Sequence, residues 1–167
     1  MKLAIDTNIL ISALLHKRKI HDTVFYRENL QLYAPNLLLQ ELRKHREKIA
    51  RLTTLTPREV EILTDKILAK RITIIPEETY RDMIEKAVEL LKEVDISDAP
   101  FVALAMFLDI PLWTGDKGIL ELSARTGFKH FVAVDTEGVE MLLRGEPLER
   151  VKERMKERYA QDKKTQG

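Results

Sequence analysis

The stretch Leu3-Ala4-Ile5-Asp6-Thr7-Asn8-Ile9-Leu10 decides the fold of this chain. It opens with a short apolar run that is typical of a buried strand, and an aspartate ends that run. The apolar residues that follow, from Ile9 to Leu15, predict a helix. A buried strand followed at once by a helix indicates an α/β protein whose strands pair in parallel.

The rest of the chain continues this alternation of strands and helices. The capping-box pattern at Thr56 predicts the start of one helix, Asn36 is expected to cap a longer one, and Asp135 is expected to cap the final one. The helix that begins after Thr56 is predicted to run over 57–70. Further strands are predicted at 32–34, 71–75, 110–114 and 131–134, and further helices at 77–93, 99–108 and 147–160. The alternation predicts a three-layer α/β/α arrangement around a parallel sheet.

Length and composition are those of a globular chain with one core. The chain has 167 residues, of which 44% are hydrophobic and 33% charged. We predict a domain over residues 1–145 and a charged helical extension and tail over 146–167. No apolar stretch approaches the ~20 residues that cross a bilayer. The start runs directly into a strand and does not resemble a secretory signal, so a cytoplasmic protein with no membrane partner is expected.

The cysteine and histidine content excludes some classes of site. Because cysteine is absent, disulfides and thiolate metal sites are excluded. The four histidines are not paired at zinc-ligand spacing, which makes a zinc enzyme a poor fit.

The charge distribution is uneven although the formal net charge is only +1. That net charge argues against a protein that binds nucleic acid by bulk electrostatics. From Arg43 to Arg51, however, five Lys and Arg residues stand against one Glu, and this run begins two residues after Glu41. Two interpretations remain open: a solvated helix face, or a rim that contacts phosphates.

Four acidic residues lie where predicted elements begin or end. Asp6 and Asp116 follow the carboxyl ends of two strands, so they are neighbours if those strands flank the switch point of the sheet. Asp98 begins a helix, and Glu41 lies in the second turn of another. Because crossover helices start at the same sheet edge, all four side chains can converge there.

Each of these acids also has a purely structural interpretation. Asp6 and Asp98 are good helix caps, Asp116 fits a plain turn, and Glu41 fits a salt bridge. Asp95 is either a fifth acid at the rim or part of a turn. If the four meet, their repulsion is unfavourable unless a cation binds or protons are taken up. Carboxylate oxygens favour a hard cation such as Mg2+ or Mn2+.

Taken together, the motifs resemble the PIN-domain family of metal-dependent nucleases. The matching segments occur in the family order across residues 4 to 117, and they are Ala4-Ile5-Asp6-Thr7-Asn8-Ile9-Leu10, Leu39-Gln40-Glu41-Leu42, Ser97-Asp98-Ala99-Pro100-Phe101-Val102-Ala103-Leu104-Ala105 and Leu112-Trp113-Thr114-Gly115-Asp116-Lys117. The resemblance implies a five-stranded parallel sheet, a pocket for one or two Mg2+ or Mn2+ ions, and single-stranded RNA as substrate.

The resemblance also assigns roles to individual residues. It implies metal-binding and catalytic roles for Asp6, Glu41, Asp98 and Asp116, with support from Asn8 and Thr114. We place Asp95 with the supporting residues, and we expect RNA phosphates to be contacted by Arg43, Lys44, Arg46 and Lys117. Many family members are VapC-like toxins, which implies an antitoxin partner and a homodimer. The chain is longer than the compact toxins, which makes the toxin role less direct than the nuclease role.

Other functions fit these residues less well. A degenerate PIN-like domain that binds RNA or supports an assembly is the main alternative, although all four acids are present. Phosphotransferases with an aspartyl nucleophile typically have a second acid two residues on, where this chain has Asn8. The chain lacks both the P-loop pattern and the Gly-x-Gly-x-x-Gly pattern of dinucleotide sites.

Overall fold

The sheet of this protein is entirely parallel and has five strands in the order β3-β2-β1-β4-β5. The computed structural model describes residues 1–15 and 17–160, so positions 161–167 of the predicted tail lie outside the described residues. The strands are β1 (Lys2–Ile5), β2 (Gln31–Pro35), β3 (Ile72–Ile75), β4 (Leu112–Trp113) and β5 (Ala133–Val134).

Helices connect the strands and cover the sheet. In the described residues they are α1 (Thr7–Leu14), α2 (Arg18–Tyr26), α3 (Leu37–Leu52), α4 (Pro57–Arg71), α5 (Glu77–Leu90), α6 (Ala99–Leu108), α7 (Lys117–Arg125), α8 (Thr136–Leu143) and α9 (Leu148–Tyr159). A 3-10 turn at Ile96–Asp98 leads into α6. The predicted three-layer α/β/α sandwich with five parallel strands is confirmed.

The core lies on both faces of the central strands. Residues 3–5 of β1 and both residues of β4 are buried, as expected for parallel strands that have helices on both faces. Helix α6 packs against β1, β2 and β4, and its residues from Phe101 to Ala105 are buried. Its uniformly apolar sequence reflects this position, because a helix that is buried over most of its surface needs little polar face.

Several element boundaries differ from those predicted. Asn36 directly precedes α3, as predicted, but it adopts a helical backbone conformation and its side chain makes no capping hydrogen bond. The capping box of Thr56 and Glu59 is confirmed, with hydrogen bonds of 3.1 and 3.2 Å. Strands β4 and β5 pair over two residues each, fewer than predicted. Asp135 caps α8, which is followed by a further helix.

The last described helix, α9, packs against α7 and α8. Its apolar side chains Val151 and Met155 are buried in the common core. At its end, the Tyr159 hydroxyl donates a 2.6 Å hydrogen bond to Asp135, and Arg154 and Arg158 pair with Glu137. These contacts attach α9 to the end of β5. The domain boundary predicted at residue 145 remains a prediction. Within the described residues, no helix combines the length and the apolar character that crossing a bilayer requires.

Candidate active site

The switch point of the sheet lies between β1 and β4. These strands are hydrogen-bonded neighbours, with Ile5 opposite Trp113, although more than 100 residues separate them along the chain. From β1 the chain continues to β2 and β3 on one side, and it later reaches β4 and β5 on the other. The condition for Asp6 and Asp116 to be neighbours is therefore met.

Asp6 is held by hydrogen bonds to both of its carboxylate oxygens. Its side chain is 7% exposed and caps α1, since Oδ1 accepts a 2.9 Å hydrogen bond from the Ile9 amide. Its other oxygen, Oδ2, accepts a short hydrogen bond from the Thr114 hydroxyl. The structural interpretation of Asp6 as a cap is correct but incomplete, because the second oxygen is directed across to the end of β4.

Thr114 connects Asp6 to Asp116. Its side chain is fully buried, and its hydroxyl oxygen also accepts a 3.0 Å hydrogen bond from the Asp116 amide. Asp116 is half-buried and caps α7, where its Oδ1 accepts a 3.0 Å hydrogen bond from the Ile119 amide. One hydroxyl thus fixes the ends of β1 and β4 relative to each other.

Asp98 and Glu41 approach this pair from two helices. Asp98 is half-buried at the start of α6, and its carboxylate makes no capping hydrogen bond there, so the predicted cap role does not occupy it. Glu41 is half-buried in α3. Within residues 1–15 and 17–160, none of the four acids forms an ion pair with a Lys, Arg or His side chain.

Burial and repulsion between the acids raise the pKa values of two carboxyl groups in the site. Burial raises the pKa of Asp6 to about 6, against the hydrogen bonds from Thr114 and Ile9, and the charges of Asp116 and Glu41 add to the rise. Burial likewise raises the pKa of Asp98 to about 7, assisted by the charges of Asp95, Asp116, Asp6 and Glu41. The carboxylates therefore interact electrostatically, and no partner neutralises them among the described residues.

The two remaining polar candidates lie further out. Asp95 is exposed and accepts hydrogen bonds from the Ser97 amide at 2.9 Å and the Ser97 hydroxyl at 2.6 Å. The Ser97 hydroxyl, with the amide as the lesser cause, lowers the pKa of Asp95. Asn8 is exposed on α1. Asp95 thus belongs to the turn that presents Asp98, and its charge acts on the site from outside.

The basic candidates divide between two surfaces. Arg43 and Arg46 line a groove of about 100 Å³ between α3 and α4, where Arg46 pairs with Glu61 at 3.8 Å. Lys44 is exposed on α3, and Lys117 in the first turn of α7 pairs with Glu121 at 3.8 Å. Lys117 directly follows the acidic site in sequence, whereas Arg43 and Arg46 point toward α4.

The chemistry of the donor set fits a hard divalent cation. In the described part of the chain, no three His, Asp or Glu side chains are grouped closely enough to hold a metal ion between them. Mg2+ takes one or two carboxylates directly and keeps several waters, so it does not require such a group. Burial, with added repulsion from neighbouring carboxylates, raises the pKa values of Asp6 and Asp98, and a bound cation would stabilise their charged forms.

Two residues near the site were not predicted. Thr7, which follows Asp6, is buried, and its hydroxyl has no hydrogen-bond partner among the described residues. Its position next to Asp6 is the feature of the sequence that could have indicated its place near the site. Gly118 lies in the first turn of α7, where a side chain would collide with Val94. That contact joins residues 24 positions apart, so no local pattern indicates it.

The protein is therefore an α/β protein with a doubly wound parallel sheet. Its acidic site lies at the switch point, beyond the carboxyl ends of the strands. The family model of the PIN domain matches residues 4–157, which is most of the chain. This protein belongs to the PIN-domain family, whose members are in general nucleases.

Solved structures show the same fold at low sequence identity. VapBC2 from Rickettsia felis, bound to a DNA fragment from its promoter, matches with a TM-score of 0.61 and 15% identity, over 81% of this chain and 98% of that chain. PAE2754 from Pyrobaculum aerophilum matches with a TM-score of 0.61 and 20% identity, over 87% and 97% of the two chains. VapBC-1 from nontypeable Haemophilus influenzae matches with a TM-score of 0.55 and 20% identity, over 82% and 99%. No curated protein matches the chain.

Proposed function

We propose that this protein is a metal-dependent endoribonuclease that hydrolyses phosphodiester bonds in single-stranded RNA. The observation that carries the proposal is the hydrogen-bonded unit of Asp6, Thr114 and Asp116. The charge of Glu41 acts on Asp6, and the charges of Asp6, Asp116 and Glu41 act on Asp98. Membership of a nuclease family supports the same interpretation.

The chain's own residues would prepare the site before any ligand arrives. Thr114 and the first turns of α1 and α7 hold Asp6 and Asp116 in fixed orientations. Asp98 has no such restraint from a cap, so its carboxylate is available to bind a ligand directly or through water. A preorganised acidic site of this kind loses no energy to rearrangement during the reaction.

Mg2+ or Mn2+ is the cofactor that the donor set suits. Asp6 and Asp116 would hold the ion, and Glu41 and Asp98 would contribute directly or through water. When bound, the ion supplies polarisation of the scissile phosphate and a lowered pKa for the attacking water. Asn8 and Asp95 are proposed to support the site at its rim.

The RNA backbone is proposed to be held by cationic side chains on two helices, and two of these side chains line the groove between α3 and α4. The candidates are Arg43, Lys44 and Arg46 on α3 and Lys117 on α7. All four are exposed, and phosphate contacts from Lys and Arg supply affinity without sequence specificity.

The biological role that we propose is that of a cytoplasmic toxin of a toxin–antitoxin pair, with an antitoxin protein as partner and a homodimer as the assembled state. The likeness to VapBC2 and VapBC-1 supports this role. Expression of the chain alone in a bacterial host should arrest growth, and Asp6→Asn should remove that effect. Growth arrest by the variant as strong as that by the wild type would contradict a toxin role based on cleavage.

The decisive experiment for the nuclease is a cleavage assay. Single- and double-stranded RNA and DNA are incubated with wild type and Asp6→Asn, each with Mg2+, Mn2+ or EDTA. We expect cleavage of single-stranded RNA by the wild type with metal, none with EDTA, and a loss of about 100-fold or more in the variant. Equal cleavage by both proteins, or cleavage by the wild type in EDTA, would falsify the assignment.

A further inference from the structure

At Gly118, helix α7 approaches Val94, the residue before the acidic turn at 95–98, more closely than a side chain would permit. A Cβ atom placed on Gly118 would lie 2.8 Å from Cγ1 of Val94 and 3.2 Å from Oδ1 of Asp116. Carbon atoms in favourable contact are ~3.5–4.0 Å apart, so an added methyl group would have to move its neighbours by about 1 Å. Val94 is β-branched, so its side chain has few rotamers with which to evade the contact.

The two neighbours of Gly118 belong to the two arms of the candidate active site. Val94 directly precedes the turn that Asp95 begins and Asp98 ends, and its own amide donates a 3.0 Å hydrogen bond to Leu91. Asp116 caps α7 through the same Oδ1 atom that an added methyl group would approach. A displacement at Gly118 is therefore transmitted to the backbone ahead of Asp98, to the Asp116 carboxylate, or to both.

We propose that Gly118 is a positioning residue that sets the separation between Asp98 and Asp116 by letting α7 pack directly against Val94. This inference deepens the proposed function and rests on it. The small residue serves the geometry of two carboxylates that act on a shared ligand, although it touches neither metal nor RNA itself.

If Gly118→Ala acted only through helix stability, the substitution would be favourable rather than harmful. Inside a helix, alanine is more favourable than glycine, so Gly118→Ala should stabilise α7 wherever space permits. The close contact with Val94 predicts instead that Gly118→Ala weakens Mn2+ binding, and that the loss disappears when Val94 is shortened.

The test is a double-mutant cycle of Gly118→Ala and Val94→Ala, read by calorimetric titration with Mn2+ and by cleavage of single-stranded RNA. For Gly118→Ala we expect about 10-fold weaker Mn2+ binding and about 10- to 100-fold slower cleavage, since misplacement by 1 Å costs up to about 100-fold. In the Val94→Ala background, the same glycine substitution should change Mn2+ affinity by less than about 2-fold.

Gly115→Ala is the matched control for Mn2+ binding, because a Cβ atom there meets nothing within 4 Å. Its Mn2+ affinity should equal that of the wild type. If Gly118→Ala does not fold, the double variant is compared with Val94→Ala alone, and a clear loss of Mn2+ affinity in that comparison overturns the proposal.

The outcomes separate this inference from the proposed function. If the wild type binds Mn2+ and cleaves RNA but Gly118→Ala does both equally well, only the role of Gly118 is refuted. The same holds if the loss in Gly118→Ala is just as large with Val94→Ala present. If the wild type neither binds Mn2+ nor cleaves RNA, the proposed function itself fails.

Discussion

The arrangement of the two strand-end aspartates, Asp6 and Asp116, depends on the Thr114 hydroxyl group. This hydroxyl donates to Asp6 and accepts from the Asp116 amide, and it does so without exposure to solvent. A buried carboxylate that loses such a donor is left without compensation, which costs more than the hydrogen bond contributes.

Thr114→Val, which keeps the shape but removes the hydroxyl, should therefore reduce both stability and activity. We expect a loss of about 1–3 kcal/mol in the free energy of unfolding, measured by urea denaturation. RNA cleavage should fall with it, because Asp6 and Asp116 are no longer linked. Thr114→Ser retains the hydroxyl and should stay closer to the wild type in both measurements. A valine variant as active as the serine variant would contradict this role.

Asp98 gives the metal-free protein a specific pH dependence. Its folded pKa of about 7, like the value of about 6 for Asp6, lies above the ordinary value of 3.8. Between these values the folded state binds more protons than the unfolded state, so the stability that these groups contribute is highest at low pH and is lost as pH rises through 6 and 7. Asp98→Asn removes one such group.

In EDTA, the melting temperature of Asp98→Asn relative to that of the wild type should therefore rise between pH 5 and pH 8. The measurement is a series of thermal melts of both proteins across that range. A difference in melting temperature that is the same at every pH would show that Asp98 does not titrate as the structure indicates.

At the scale of elements, the positions of Asp6 and Asp116 at helix starts made them recognisable in the sequence. The same positions left their role in the site undecided. Asp6 and Asp116 both cap the helices that follow them, so the capping and the site-forming interpretations hold for the same side chains. Helix α7 itself was not predicted, because the glycines on either side of Asp116 fit a plain turn. The close contact between Gly118 and Val94 explains one of those glycines, and such a contact is invisible to local patterns.

Arg71 connects two elements that the sequence gives no reason to associate. Its guanidinium donates to the Val24 carbonyl at 2.7 Å and to the Arg27 carbonyl at 2.6 Å, which satisfies carbonyls at the end of α2 from the end of α4. Arg71→Ala should lower the free energy of unfolding by about 1–2 kcal/mol. Arg58→Ala, an exposed position on the same helix, serves as the control and should be nearly neutral in urea denaturation. Equal effects at both positions would refute the connecting role.

At the scale of the whole molecule, the sequence did not specify the order of the strands in the sheet. Alternating strands and helices predicted a parallel sheet, and parallel direction placed Asp6 and Asp116 at one edge. Their adjacency depended on which strands pair, and pairing of β1 with β4 is a contact across more than 100 residues that no local pattern specifies. The family motifs supplied the expectation, and the sheet order provides its physical basis.

A last prediction concerns the whole folded protein and distinguishes an active nuclease from a degenerate binding module. A ligand that binds only the folded state raises stability by mass action, by about 2.7 kcal/mol at 100 times its Kd. For a chain of this size, that corresponds to an increase of about 5–10 °C in melting temperature. We expect Mn2+ to produce a saturable increase in the wild type, larger at pH 8 than at pH 5, because the carboxylates must lose their protons to bind it.

The matched proteins for this experiment are Asp6→Asn and Asp98→Asn, which should lose most of the increase, and Gly115→Ala, which should keep it. Ca2+ or Mg2+ in place of Mn2+ tests whether the site discriminates among hard cations. A wild type whose melting temperature is unchanged by Mn2+ at pH 8 would favour the degenerate module. An increase of equal size in all four proteins would mean that the ion binds elsewhere, because the acids at the switch point would then contribute nothing to its affinity.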